Sequence, residues 1–180
     1  IVLGGGGAIL LAAAITAAER GHTVTLFDQA DRIGGQLNMA REIPGKEEFH
    51  GLVAWFETMV TELGITLKLN QTATTDDLTG FDDVIVATGV IPREPGIPGQ
   101  DGPNVLSYID VLRHKAPVGK RVAIIGAGGI GFDVAEYLVQ DGDSSTENLS
   151  EWKEEWGVGD PAETRGGLAS EGPQPEAPAR

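Results

Sequence analysis

Apolar positions in this chain come as short continuous runs and as stretches of helical spacing, and their order predicts an architecture. Ile1-Val2-Leu3 runs straight into Gly4-Gly5-Gly6-Gly7, which reads as the closing half of a buried strand whose start is missing. Ala8 to Arg20 is alanine-rich and carries Ile9, Leu10, Leu11 and Ile15. Such a stretch forms helix readily, and being apolar nearly all round it is expected to be buried. Gly21 stands where a helix ends, and Thr23 to Phe27 is a strand closing at Asp28. Strand, glycine turn, helix and strand together make a βαβ unit.

A longer helix is predicted over about 46–63, where Phe49, Leu52, Val53, Phe56, Val60 and Leu63 paint one core-facing side. Ile65 to Leu69 and Asp83 to Ala87 read as strands, the second ending at Thr88-Gly89. Ser107 and Asp110 have the spacing of a capping box for a helix running to about Lys115, with Arg113, His114 and Lys115 at its negative end. The opening pattern then returns. Arg121 to Ile125 is a predicted strand, Gly126-Ala127-Gly128-Gly129-Ile130-Gly131 a glycine turn, and Phe132 to Gln140 a helix. Two such units about 120 residues apart imply two nucleotide sites in tandem, or one site and a decayed copy.

Composition narrows the partners. With 27 acidic against 13 basic residues the formal charge is −14, which repels phosphate backbones and anionic headgroups, so neither nucleic acid nor a membrane is an expected partner. The longest apolar stretch, Ala8 to Ala18, is too short to span a bilayer, and no signal peptide is expected. There is no cysteine, hence no disulfide, thiolate metal site, iron–sulfur ligand or thiol nucleophile within this chain. Residues 166–180 hold three prolines and three glycines without apolar period and read as a loop or disordered tail.

The glycine turns carry the chemistry. A dinucleotide pyrophosphate sits against bare backbone amides at a helix N-terminus, so the turn needs residues without side chains. In G-x-G-x-x-G the first glycine turns the chain, the second admits the phosphate and the third lets helix and strand approach. Gly126, Gly128 and Gly131 fill all three places. In the first copy Gly4 and Gly6 fill two, but the third falls on Ile9, whose side chain is expected to push the helix from the strand; starting from Gly5 puts Leu10 there and is no better. Asp28, 19 residues after Ile9, stands where a carboxylate accepts hydrogen bonds from ribose hydroxyls.

These residues resemble one family. Gly21 to Asp28 (Gly-His-Thr-Val-Thr-Leu-Phe-Asp), Ile33-Gly34-Gly35-Gln36-Leu37-Asn38 and Ile43-Pro44-Gly45-Lys46-Glu47-Glu48-Phe49 are similar to bacterial NADPH-dependent 2,4-dienoyl-CoA reductases. So are Val84 to Gly89, Val105 to Tyr108, Lys115 to Gly119 and Val122 to Asp133, and the likeness covers about residues 1–160. More distantly the chain is similar to trimethylamine dehydrogenase and to flavoprotein reductases with two dinucleotide domains.

The resemblance implies an α/β, Rossmann-like FAD/NAD(P)-binding fold, a parallel sheet with helices on its faces, in which the second nucleotide-binding domain is incomplete. Residues 1–115 would be an FAD domain with a truncated first strand, 116–165 the start of an NAD(P)H domain, and 166–180 the tail. It further implies FAD bound by Gly4, Gly6, Gly7 and Ala8 at the pyrophosphate and by Asp28 at the ribose. Gly35 and Gln36 would lie near the ribityl chain and flavin, Ala73 beside the adenine, and Ala87, Thr88 and Gly89 would give backbone contacts. NADPH would lie on Gly126, Gly128, Gly129, Ile130 and Gly131, although this sequence does not itself separate NAD from NADP. FMN, an iron–sulfur cluster and the catalytic acid would belong to an amino-terminal barrel of the parent protein, in the cytoplasm, and no catalytic side chain is assigned here.

The remaining features have plainer readings. His22, His50 and His114 lack metal-ligand spacing, and no metal is expected. Leu149, Trp152 and Trp156 are spaced to pack one face of a short helix onto the domain, while Asp76-Asp77 and Asp82-Asp83 read as solvated loop charges.

Overall fold

The computed structural model describes residues 2–4 and 6–175. Two compact units emerge, one formed by Ile1–Arg41 and Glu48–Val105, the other by Glu42–Glu47 and Leu106–Arg180. This division falls ahead of the expected boundary at 115/116, and it hands a six-residue segment from early in the chain to the second unit.

The first unit is a four-stranded parallel sheet in the order β3-β2-β1-β4, built from β1 (Val2–Gly4), β2 (Thr25–Phe27), β3 (Thr66–Lys68) and β4 (Val84–Val86). Gly4 pairs with Phe27 on one side and Val86 on the other, and Phe27 with Lys68, so the carboxyl ends of all four strands lie level. Helices α1 (Ala8–Glu19) and α3 (Glu48–Glu62) share one core with the sheet: Leu10, Leu11, Ala14 and Ile15 from α1, Phe56 and Val60 from α3, and Val24, Leu26 and Ile65 beside them. The two α3 residues belong to the side that its periodicity predicts. Both helices end alike. Gly21 at φ +90° and Gly64 at φ +64° turn the chain, and the amides of His22 and Ile65 reach back to Ala17 and Val60 at 3.1 and 3.0 Å. Such Schellman closures return the chain directly into β2 and β3. Between β2 and α3 lies one short turn, α2 (Leu37–Ala40).

In the second unit, α4 (Tyr108–Leu112) has its full capping box, with Ser107 Oγ accepting from the Asp110 amide at 3.1 Å and the Asp110 carboxylate accepting from the Ser107 amide at 2.8 Å. It stops before the expected Lys115, which takes φ +52°. Helix α5 (Gly129–Val139) follows the second glycine turn, and α6 (Leu149–Trp156) is capped by Asn148.

Two expectations are corrected. Arg121 to Ile125 is not a strand: it belongs to no ladder, a parallel strand exists only through pairing, and Val122, Ile124 and Ile125 are exposed. Helix α6 does form, but Leu149 and Trp156 are exposed and only Trp152 is half-buried, so that face is not packed. The stretch from 166 is a loop held by hydrogen bonds: Val158 bridges Leu168, Ala169 N–H donates to the Gly157 carbonyl at 2.8 Å and Gln174 N–H to Glu155 at 2.9 Å. Residues 176–180 of that tail lie outside the described residues.

Candidate dinucleotide sites

Because the strand ends are level, the loops that leave β1, β2 and β4 collect at one edge of the sheet, the place where parallel α/β sheets take ligands. From β1 the chain passes through Gly6 to Gly7, the N-cap of α1, whose carbonyl accepts from Leu10 and Leu11 at 3.1 and 3.0 Å. The amides of Ala8 and Ile9 have no partner among the described residues. From β2 comes Asp28. One carboxylate oxygen accepts from the Gly6 amide and the other from Ala30 N–H at 2.8 Å. Gly6 makes this approach possible: a Cβ there would overlap Asp28 Oδ2 and stand 3.3 Å from Ile33 Cα.

The Gly34-Gly35 pair closes the cradle. Gly34 N–H donates to the Gly6 carbonyl at 2.7 Å, and Gly35, at φ +52°, lies so near that a Cβ on it would be 3.1 Å from Gly7 Cα. Gln36 is exposed at the N-cap of α2. Gln71 N–H donates to the Asp28 carbonyl at 3.0 Å, which brings half-buried Ala73 past the end of β2. Beyond β4, Ala87 packs on the α1 core, Thr88 is exposed and Gly89 turns at φ +83°. Thus Gly4, Gly6, Gly7, Ala8, Asp28 and Gly35 are brought together, with Ala73 and Ala87 to Gly89 on the neighbouring loops. Gly34 was not among the expected site residues, although two adjacent glycines after a buried isoleucine were its signal.

The second turn is separate. Gly126 takes φ +116°, Gly128 is the extended N-cap of α5, and Gly129 and Ile130 open the helix. A Cβ on Gly131 would overlap the Gly126 carbonyl oxygen and stand 3.1 Å from its carbon. Only glycine fits at Gly131, whereas Gly128 and Gly129 face open space.

Aligned at their N-caps, residue by residue, the two turns give the first a different register. Gly7 then corresponds to Gly128, Ile9 to Ile130 and Leu10 to Gly131, which is the frame starting from Gly5. Ile9 is 81% exposed and Ile130 52%, while Leu10 is 1% exposed within the core. The expected wedge between helix and strand is absent, because Ile9 points away from both.

Asp77 accepts from the Thr74 hydroxyl and amide at 2.7 and 2.8 Å, bonds that hold its carboxyl below the usual range. All three histidines are exposed, and among the described residues no three His, Cys, Asp or Glu side chains cluster as metal ligands. No described helix is long and apolar enough to cross a membrane.

The family model of the pyridine nucleotide-disulphide oxidoreductases matches residues 1–151. A metal reductase of Desulforamulus reducens is 33% identical over 83% of this chain and 23% of its own length. A cinnamate reductase of Clostridium sporogenes is 37% identical over 81% of this chain and 22% of its own. The solved structure of a 2-naphthoyl-CoA reductase with 2-naphthoyl-CoA superposes with a TM-score of 0.71 at 34% identity, covering 76% of this chain and 21% of that one. The chain therefore spans a little over a fifth of the length of the curated relatives it matches.

Proposed function

The chain belongs to the pyridine nucleotide-disulphide oxidoreductase family, and from that premise we propose that it is the dinucleotide-binding, electron-transfer region of a longer flavoprotein reductase. The observation that carries this reading is the contact of the Asp28 carboxylate with the Gly6 amide beside the α1 N-terminus. It puts an acceptor for ribose hydroxyls next to bare amides for a pyrophosphate, with no side chain between them.

The residues fit FAD at the first cradle and a nicotinamide dinucleotide at the second. Gly4, Gly6, Gly7 and Ala8 would face the FAD pyrophosphate, Asp28 its ribose, Gly35 and Gln36 the flavin side, Ala73 the adenine, and Ala87, Thr88 and Gly89 would add backbone contacts. Gly126, Gly128, Gly129, Ile130 and Gly131 would hold NADPH, the choice over NADH following the dienoyl-CoA reductase resemblance. When bound, the nicotinamide supplies hydride and the flavin accepts it. This chain's part is to bind and orient both dinucleotides and to keep water from them. It has no cysteine, so it supplies no thiolate for disulfide exchange. Electrons would pass to an iron–sulfur cluster and FMN in an amino-terminal barrel of the same parent chain, reducing a 2,4-dienoyl-CoA thioester in the cytoplasm.

A second reading, a non-redox module holding ADP, draws its support from Ile9 as a wedge against the first cofactor. With Ile9 exposed, that support is gone. An absorption spectrum of the purified full-length protein, before and after anaerobic NADPH, separates the two readings. A flavin spectrum bleached by NADPH is expected. A colourless protein releasing no flavin on denaturation would refute the FAD assignment, and flavin that NADPH fails to bleach would refute the hydride-donor role of the second turn.

A further inference from the structure

We propose that Asn38 is a positioning residue of the first glycine cradle, holding the Ile33–Gly34 peptide in the orientation that the Gly6–Gly7 turn requires. The proposal rests on reading that cradle as an FAD site. The peptide is gripped at both ends: the Ile33 carbonyl accepts from Asn38 Nδ2 at 2.8 Å, and the Gly34 N–H donates to the Gly6 carbonyl at 2.7 Å. Asn38 also lies directly against Gly34, whose φ of +105° and closeness to the carboxamide, 2.8 Å from Nδ2 to where a Cβ would be, exclude other residues. Immediately after it Gly35 abuts Gly7. Any rotation of the Ile33–Gly34 peptide therefore moves the two glycines against which the pyrophosphate amides are set.

The carboxamide acts through its donor alone. A carbonyl only accepts, so the nitrogen must face Ile33, and Asn38 Oδ1 is left shielded from solvent without a hydrogen-bond partner. A buried acceptor without a donor is unfavourable, so simple space-filling would favour an apolar side chain here. What the position gains from asparagine is the one bond to the loop.

Asn38→Asp tests this with almost no change of shape. An ionised carboxylate presents an acceptor to the Ile33 carbonyl, and the bond becomes a repulsion. In the full-length protein at alkaline pH, the flavin dissociation constant is expected to rise about tenfold, in keeping with loss of a hydrogen bond and an opposing pair of acceptors. As the pH falls and the introduced carboxyl takes a proton, it can donate to Ile33, and affinity should return toward that of the unsubstituted protein measured over the same range. Relative to the unsubstituted protein at the same pH, hydrogen–deuterium exchange at Gly34 should be faster in the variant at alkaline pH and return to the same rate in acid, a readout that needs no flavin. A loss of affinity equal at every pH, or unchanged affinity, would overturn the proposal. Should the unsubstituted protein hold no flavin, the FAD reading fails, and Gly34 exchange alone decides whether the clamp exists: unchanged exchange refutes it. If Asn38→Asp does not fold, Asn38→Ala answers the same question through Gly34 exchange and flavin affinity, with quickened exchange and weakened binding expected and no change in either overturning it.

Discussion

At the scale of single residues, the second turn distinguishes glycines that are obligatory from those that are merely open. Gly131 has no room for a methyl group because the Gly126 carbonyl fills it, and that carbonyl is backbone that cannot swing aside. Gly129, two residues earlier on the same helix, has nothing near its missing Cβ. Gly131→Ala should therefore force the turn open, destabilising the second unit by about 1–3 kcal/mol, the usual range for overpacking, and weakening nicotinamide binding. Gly129→Ala should leave stability unchanged or slightly raised, since alanine is the better helix former. Urea unfolding of both variants checks the pair, and equal losses would show that the overlap is relieved by movement elsewhere. The cradle around Asp28 follows the same logic, with Gly6 bare so that a carboxylate can reach its amide.

At the scale of elements, α1 shows what could be read in the sequence and what could not. Its helix, its terminal Gly21 and its buried alanines follow from propensity and spacing, as do α3, the α4 capping box and the parallel βαβ order. The register of the glycine turn does not follow. Four consecutive glycines offer several N-caps of equal local cost, and the choice of Gly7 is made by the core, which buries Leu10 and leaves Ile9 outside. Arg121 to Ile125 misled for a related reason: a strand pattern describes the side chains, whereas a strand also needs a neighbour to bond. The Asn38 clamp and the Gly34–Gly6 bond are tertiary and leave no periodic trace. Ile9 and Leu10 give a sharp test of the revised register. Ile9→Gly removes no clash and should lower stability by only about 0.5–1 kcal/mol through helix propensity, with no gain in flavin retention. Leu10→Ala should cost about 2–5 kcal/mol as a core truncation. Improved flavin retention in Ile9→Gly would restore the wedge.

At the scale of the whole molecule, the second unit contains a segment that precedes half of the first unit in sequence. Glu42–Glu47 is held to later residues by side chains: Lys115 to Glu42 at 2.5 Å, Lys46 to Asp133 at 2.6 Å, and Thr146 to Glu47 at 2.8 Å. Lys115 is the best probe of this arrangement because it stays at φ +52°, where a non-glycine residue is strained, and its ammonium also lies 4.9 Å over the Tyr137 ring. Burial alone would lower the Lys115 pKa, but its hydrogen bonds to Glu42 and Tyr137 outweigh burial and hold it above the ordinary value. A raised value in the folded state means the stabilisation is fully present below the unfolded pKa of about 10.4 and disappears as pH rises through the folded one. Because Lys115 and Glu42 are both partly exposed, the worth of the pair is discounted to about 0.5–1 kcal/mol. Lys115→Met keeps the stem and the backbone strain while removing the charge, so the urea midpoint of the variant should fall below that of the parent at neutral pH and converge with it at strongly alkaline pH. Salt should narrow the neutral-pH gap by screening the exposed charges. A gap that is constant with pH and salt would mean that Lys115 acts by packing alone and that the segment is held by its other two contacts.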